Sequence, residues 1–580
     1  MSDRPTQSNK LACSTTSSKE SSLALSPIAA VIRTSIIGLG LGLAHSTVNA
    51  ATITVDSNLD DGLHCTLRAA IDSINAGVLV NGCLPSSVTG NFGSDDAIEF
   101  DMPSNSITLN GSQLNIDNSL VSINGGNDNV NIDISADNRS RVFFLDSSIV
   151  TLNNLTIRNG HATGSGNTGS GGGIYVKEGY TTITNSTISQ NFAYQEGAGI
   201  FAPDGASMSI SDSRMLRNYA YSESITRAGS AIHTSGKYSV ILISDSIFSD
   251  NTVTSGGAAI LAEELAIVKI EDSLIGRTFQ NQFNGGSAIQ ARSGAGIDIT
   301  GSTVSGTNMY GNSTAIVATG VGPYYPTYIN VNNSIVSGVS SDFGRTIGIE
   351  AADGASIGVT NSTVTGSLGW SGAFGVKASG GGSVGLVNST VSGNSTYIGD
   401  VAGVATTGSG SYIRLLNSTV TDTSVYSYSY NYGHNDFSNI INVSNSPGSN
   451  ISIVNSILSN ARLIGAPPSS TTVPLDCSGV VTVDSTSIIS DGTCGATVSG
   501  DPRIGSLTDN GGPTPTHALN VGSIAIDSGD NDTCLTTDQR YEPRDDGACD
   551  VGAFEFQPED DQTQFYVIPL VNGNTAVVPF

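Results

Sequence analysis

The sequence predicts an all-β chain wound into a right-handed parallel β-helix, with three strands per coil. Three observations carry that prediction. A four-residue phrase returns along the chain: Asn185-Ser186-Thr187-Ile188, Asp212-Ser213-Arg214-Met215, Asp245-Ser246-Ile247-Phe248, and later Asn361-Ser362-Thr363-Val364 and Asn455-Ser456-Ile457-Leu458. Its interval drifts around roughly 30 residues, within the period range of solenoids and propellers. Upstream of each phrase stand a small-residue strand, such as Gly257-Ala258-Ala259-Ile260, and an alternating strand, such as Ser239-Val240-Ile241-Leu242-Ile243. Composition agrees, with 69 Gly, 13% charged residues and 6% aromatics, which is the make-up of strands and turns rather than helices.

The competing architectures fit less well. A disordered chain lacks the regular Ile and Val alternation seen here. A propeller needs four strands per blade and carries an aromatic signature, whereas this chain has one Trp. Irregular spacing suits a coil, because insertions at the turns leave the stack undisturbed. With less regular coils between Ile98 and Val150, the count is roughly thirteen coils, or about 60 Å of rod at the strand spacing of about 4.8 Å.

The N-terminus carries Arg4, Lys10, Lys19 and Arg33, then the apolar run Ile36 to Ala44 and a small-residue Val48-Asn49-Ala50. Residues 1–50 therefore read as a secretory signal peptide cleaved before Ala51. The apolar run is too short to span a bilayer. Residues 51–96 form an N-terminal cap, in which Leu67, Ala70, Ile71 and Ile74 fall on one face of a short helix that plugs the first coil. Residues 97–500 are the repeats, followed by a disulfide-bearing C-terminal cap.

Beyond residue 50 the cysteines fall into three close pairs, Cys65 with Cys83, Cys477 with Cys494, and Cys534 with Cys549. Six cysteines allow 15 connectivities; locality favours these pairs, and export favours disulfides over metal ligation. The balance of 23 basic against 50 acidic residues, net −27, with no basic cluster, excludes a nucleic-acid binder and an anionic lipid surface.

Two segments resemble known families of exported bacterial proteins. Cys65-Thr66-Leu67-Arg68-Ala69-Ala70-Ile71 resembles the Cys-Ser-Leu-Arg-Glu-Ala motif that opens many exported β-helix proteins, with Thr66 and Ala69 in place of its Ser and Glu. Asp509-Asn510-Gly511-Gly512-Pro513-Thr514-Pro515-Thr516-His517-Ala518-Leu519, Gly522-Ser523-Ile524-Ala525-Ile526-Asp527-Ser528-Gly529, Thr537-Asp538-Gln539-Arg540 and Cys549-Asp550-Val551-Gly552-Ala553-Phe554-Glu555 together resemble the choice-of-anchor Q domain. That resemblance covers residues 501–556. The repeats loosely resemble those of polymorphic outer-membrane proteins. These families imply an exported or cell-surface protein, and they imply no catalytic residues. Residues 557–580 read as an acidic linker and a C-terminal hairpin tail, with Asn572-Gly573 between two apolar runs.

A β-helix can also be a polysaccharide lyase or a glycoside hydrolase. Hydrolysis needs two carboxylates facing each other across a cleft. The chain has no Gly-His-Gly, Asn-Thr-Asp or Gly-x-Ser-x-Gly phrase, and its histidines are scattered. The slot before the repeated Ser holds Asp in three successive coils, Asp212, Asp245 and Asp272. Stacked carboxylates make a Ca²⁺ site, since hard cations prefer oxygen ligands, an acid pair acting on a glycan, or an exposed turn where Asp replaces Asn. Tyr426, Tyr428, Tyr430 and Tyr432 alternate in a long insertion, so on a strand they face one way and form a candidate ligand platform. The leading reading is an adhesin-like or structural scaffold that needs no cofactor, a monomer whose partner is a polysaccharide or a host or matrix surface. The alternatives are a polysaccharide-cleaving enzyme and a calcium-stabilised matrix protein.

Overall fold

A computed structural model describes residues 50–557, 566–569 and 575–578, apart from internal stretches at 81, 94, 127–130, 222–227, 255, 277, 281–285, 306–307, 310, 321–324, 427–439, 465–472 and 545–546. The expected signal peptide, save its last residue, and the tyrosines at 428, 430 and 432 lie outside the described residues.

The chain is a parallel β-solenoid of about 12 turns. Among the described residues its strands stack into sheets of 16, 14, 11 and 13 members, each following coil order. We call these the long, serine, short and glycine sheets. They are parallel throughout, except where Thr52–Val55 also pairs antiparallel with Val88–Thr89. The short sheet was not separable from a turn in the sequence. It is built of two-residue strands such as Phe192–Ala193, Tyr219–Ala220 and Thr252–Val253.

Alternation explains the strands. In Val240–Ser244, Ile241 and Ile243 are buried while their neighbours are only partly covered. The inward residues stack coil on coil: Ile183 on Ile210, then Ile243, Ile270, Ile299 and Val331. Met215, Phe248, Ile275 and Val304 do the same in the serine sheet. Each such side chain contributes about 1.5–3 kcal/mol when fully buried, and all belong to one continuous core.

Two polar ladders hold the corners. The repeated serines, from Ser186 to Ser487, are all buried. The backbone N–H of each up to Ser456 donates to the hydroxyl of the next coil's serine, as Ser213 does to Ser246 and Ser246 to Ser273, both at 3.1 Å, and the last, Ser487, donates to Asp484 instead. Each hydroxyl in turn donates to the carbonyl two residues upstream, as Ser246 does to Ser244 at 2.7 Å. At the other corner Asn191 donates to Asn218, and Asn218 to Asn251, at 3.0 and 3.1 Å. These amides also bond backbone carbonyls of the preceding coil, so these three buried side chains are paired where the chain turns.

The helix α1, Leu67–Ala76, sits at the N-terminal end and buries Leu67, Ala70, Ile71 and Ile74 on the core, the face predicted. Thr66 caps it, accepting from the Ala69 N–H, and Gly77 ends it in the left-handed conformation at φ 65°. Arg68 pairs with both Asp60 oxygens at 2.9 Å and donates to the Ser112 and Gln113 carbonyls, which ties the cap to the first coils. All three local disulfides form. Cys477 lies in the core, and Val481, Val483, Cys494 and Ala496 pack against it, so the Cys477–Cys494 segment covers the C-terminal end.

Residues 501–556 do not cover that end. They lie along the flank, over the outer face of the serine sheet. Asn388 donates to the Thr537 carbonyl at 2.7 Å, Thr363 to the Pro515 carbonyl at 2.6 Å, and the Tyr541 hydroxyl to Asn333 at 2.6 Å. Gln539 is fully buried, bonded to Thr363, Thr390 and Thr514. Leu519, Ala525, Val551 and Phe554 pack on Ile457 and Ile488. Inside the segment, Arg544 meets Glu555 at 2.6 Å and Arg540 stacks 3.6 Å from the centre of the Phe554 ring. The C-terminal hairpin pairs Tyr566–Pro569 with Thr575–Val578.

Candidate ligand-binding surface

The short sheet places its following residues in a column, one per coil. Leu368 pairs with Ser395 and Gly369 with Thr396, so Trp370 lies beside Tyr397. Thr396 pairs with Val425, which brings Tyr426 into the same column. Ser340 pairs with Leu368, and two residues on stands Asp342. Gly369 lets the chain turn here, because a Cβ at that position would sit 1.9 Å from the Gly372 carbonyl oxygen. The backbone is then fixed: the Trp370 N–H donates to Gly344 and that of Tyr397 to Gly369, both at 3.1 Å.

The result is an aromatic strip. The ring centroids of Trp370 and Tyr397 lie 5.6 Å apart and those of Tyr397 and Tyr426 6.1 Å apart, tilted by 42° and 38°. Trp370 is 39% exposed and Tyr426 41%. Beside the strip is an open depression of about 460 Å³ lined by Ser340, Ser341, Asp342, Leu368, Trp370 and Tyr397. Ser341 donates to the Gly311 carbonyl and accepts from the Gly344 N–H, which fixes the wall. An apolar floor with a few oriented polar groups is the usual make-up of a small-molecule site.

Of the tyrosines predicted as a platform, Tyr426 joins this strip; Tyr428, Tyr430 and Tyr432 fall in the undescribed stretch. Trp370 and Tyr397 were missed. The signal was available: Trp370, Tyr397 and Tyr426 recur at the interval of the coil itself.

Asp212, Asp245 and Asp272 do occupy one corner in successive coils, and all are exposed. Their backbone is left-handed, at φ 49°, 49° and 45°. The same slot holds Asn185 at 49°, Asn333 at 51° and Gly301 at 60°. Asn, Asp and Gly are the residues that tolerate this conformation, so backbone geometry accounts for their exchange. Among the described residues no group of three or more His, Cys, Asp or Glu is disposed to hold a metal ion.

A third cluster draws on four successive coils. His233 lies 3.5 Å from Glu263 and 4.0 Å from Glu196, and Glu263 lies 3.4 Å from Arg292. It sits on the outer face of the glycine sheet, beside the edge-on pair Phe201–His233. His233 is 1% exposed and the Glu263 side chain 5%, which leaves no room for a polymer to reach either.

No protein-family model matches the chain, and no curated protein matches it.

Proposed function

We propose that this is an exported β-helix protein that acts at the cell surface as a binding scaffold for glycans. The observation that carries this reading is the exposed strip Trp370–Tyr397–Tyr426 beside the depression at Asp342. A pyranose ring presents an apolar C–H face to an aromatic ring, and its hydroxyls can bond Ser and Asp side chains. The strip lies on a rigid wall, so little order has to be imposed on binding.

Export is supported by the disulfides, which persist in oxidising compartments. No described helix is long and apolar enough to cross a membrane. The resemblance of residues 501–556 to an anchor-associated module supports a surface location. Binding is favoured over cleavage because, of the converging groups His233, Glu263 and Arg292, the histidine and the carboxylate are buried and only Arg292 is partly exposed.

The test is a panel of neutral and anionic polysaccharides, scored for retention and for chain cleavage, with and without calcium. Retention of a neutral polysaccharide without cleavage, lost in Trp370→Ala with Tyr397→Ala, is the expected result. Release of shortened chains, or retention unchanged by that double substitution, would overturn the reading.

A further inference from the structure

The strip has a counterpart on the same edge of the rod. In an earlier part of the column Ala193 pairs with Ala220, which sets Tyr194 beside Tyr221, with ring centroids 5.3 Å apart. The short strands there carry aromatics as well: His161, Phe192 and Tyr219 follow one another in register, with centroids 4.5 and 5.6 Å apart. All five side chains are partly exposed. This first platform therefore spans three coils, as does the one at Trp370.

The two platforms lie in line. Five strand pairings of the short sheet separate the coil of Tyr219 from that of Leu368, about 24 Å at the spacing of parallel strands. The full track from His161 to Tyr426 covers nine pairings, about 43 Å. Among the described residues between the platforms, the column carries Thr254, which is buried, and Asp342, which lines the depression.

We infer that both platforms engage one neutral polysaccharide chain, laid parallel to the rod axis. The inference rests on the glycan reading above and adds the second site, the direction of the chain and its charge. A site that repeats once per coil matches a ligand that is itself a repeating polymer. A polyanionic chain is disfavoured by the net charge of −27 and by Asp342 in the track, since like charges oppose association.

Linking two weak sites through one ligand raises affinity by about a hundredfold or more when the ligand can span them, and by nothing when it cannot. The experiment uses the full chain and size-graded cello-oligosaccharides and acetylated chito-oligosaccharides, titrated by calorimetry. For at least one series, affinity is expected to rise in a step of about a hundredfold once fragments reach the full track length. Phe192→Leu with Tyr219→Leu should remove the step and leave unchanged the short-fragment binding that depends on Trp370. Leucine keeps an apolar β-compatible side chain, and a thermal melt matching the parent confirms that the fold is kept. Binding that depends on Trp370 yet shows no step, or a step that survives Phe192→Leu with Tyr219→Leu, overturns this inference and leaves the single-site reading standing. Binding of neither series overturns both.

Discussion

Asn388 donates from Nδ2 to the carbonyl oxygen of Thr537 at 2.7 Å, and so joins a corner of the rod to the segment lying on its flank. Corner asparagines beneath this segment include the buried Asn388 at 3% and Asn455 at 0%, whereas Asn185, in the same slot, is exposed. The flank segment is thus seated on a surface the repeat already provides.

Loss of Gln539 should unseat it. Its amide bonds Thr363, Thr390 and Thr514 in a fully buried setting, and removing one partner from buried groups costs about 1–3 kcal/mol each. Gln539→Ala is expected to speed hydrogen exchange and proteolysis across 501–556 while protection of the rod stays as it was. Equal loosening of both would show that the two unfold together.

The serine ladder and the slot before it should respond differently. Ser246→Ala takes the acceptor from the Ser213 N–H and is expected to lower stability by about 1–3 kcal/mol. Asp245→Val forces a branched side chain into a left-handed backbone and should cost about 1–2 kcal/mol. Asp212→Asn with Asp245→Asn should leave the melting temperature unchanged, with or without calcium. A calcium-dependent fall in that double variant would support the cation reading of the Asp row.

The flank segment should also respond to pH. Burial pushes the Glu555 carboxyl up to about 7, against the pull of Arg544. A raised acid holds its proton longer in the folded state, so its contribution is complete below the ordinary value of 4.5 and is lost as pH rises through about 7. His517 opposes this. Burial lowers it, with Nδ1 directed at the Gly505 carbonyl and Nε2 at Ser392. Its contribution is present above 6.5 and lost as pH falls. Melts of the parent and Glu555→Gln from pH 5 to 8 should show the alkaline loss, ~3 kcal/mol at most, only in the parent.

The first disulfide closes a loop between Cys65 and Cys83, which lie 18 residues apart. Its removal by Cys65→Ser with Cys83→Ser should cost about 3 kcal/mol and free α1 from the first coil. Exchange at Leu67–Ala76 is the readout, and it should rise well before that of the central coils.

Much of the coil was legible because alternation at Val240–Ser244 and small residues at Gly257–Ile260 are local signals. So was α1, whose buried face follows from the spacing of Leu67, Ala70, Ile71 and Ile74. What the serines do was not legible. Ser213 and Ser246 meet only once the coils are in register, and sequence shows the recurrence without the bond. The flank docking of Gln539 on Thr363 and Thr390 left no trace either, since it joins distant residues with no period. Trp370 and Tyr397 recur with Tyr426 at the coil interval, which the sequence does show; that they stand in one outward column is set by two-residue strands too short to read.

The serine ladder bears on how such a chain can change over generations. Every rung from Ser186 to Ser456 is chemically the same, with its N–H given to the next serine and its hydroxyl to its own strand. Deleting or duplicating one whole coil in the gene therefore joins like to like, whereas a partial deletion leaves a rung without its mate. Length is then an easily inherited variable, altered in single coils. Only stretches tied to a neighbour of fixed address, such as those beneath Gln539 and Tyr541, are held to one copy number.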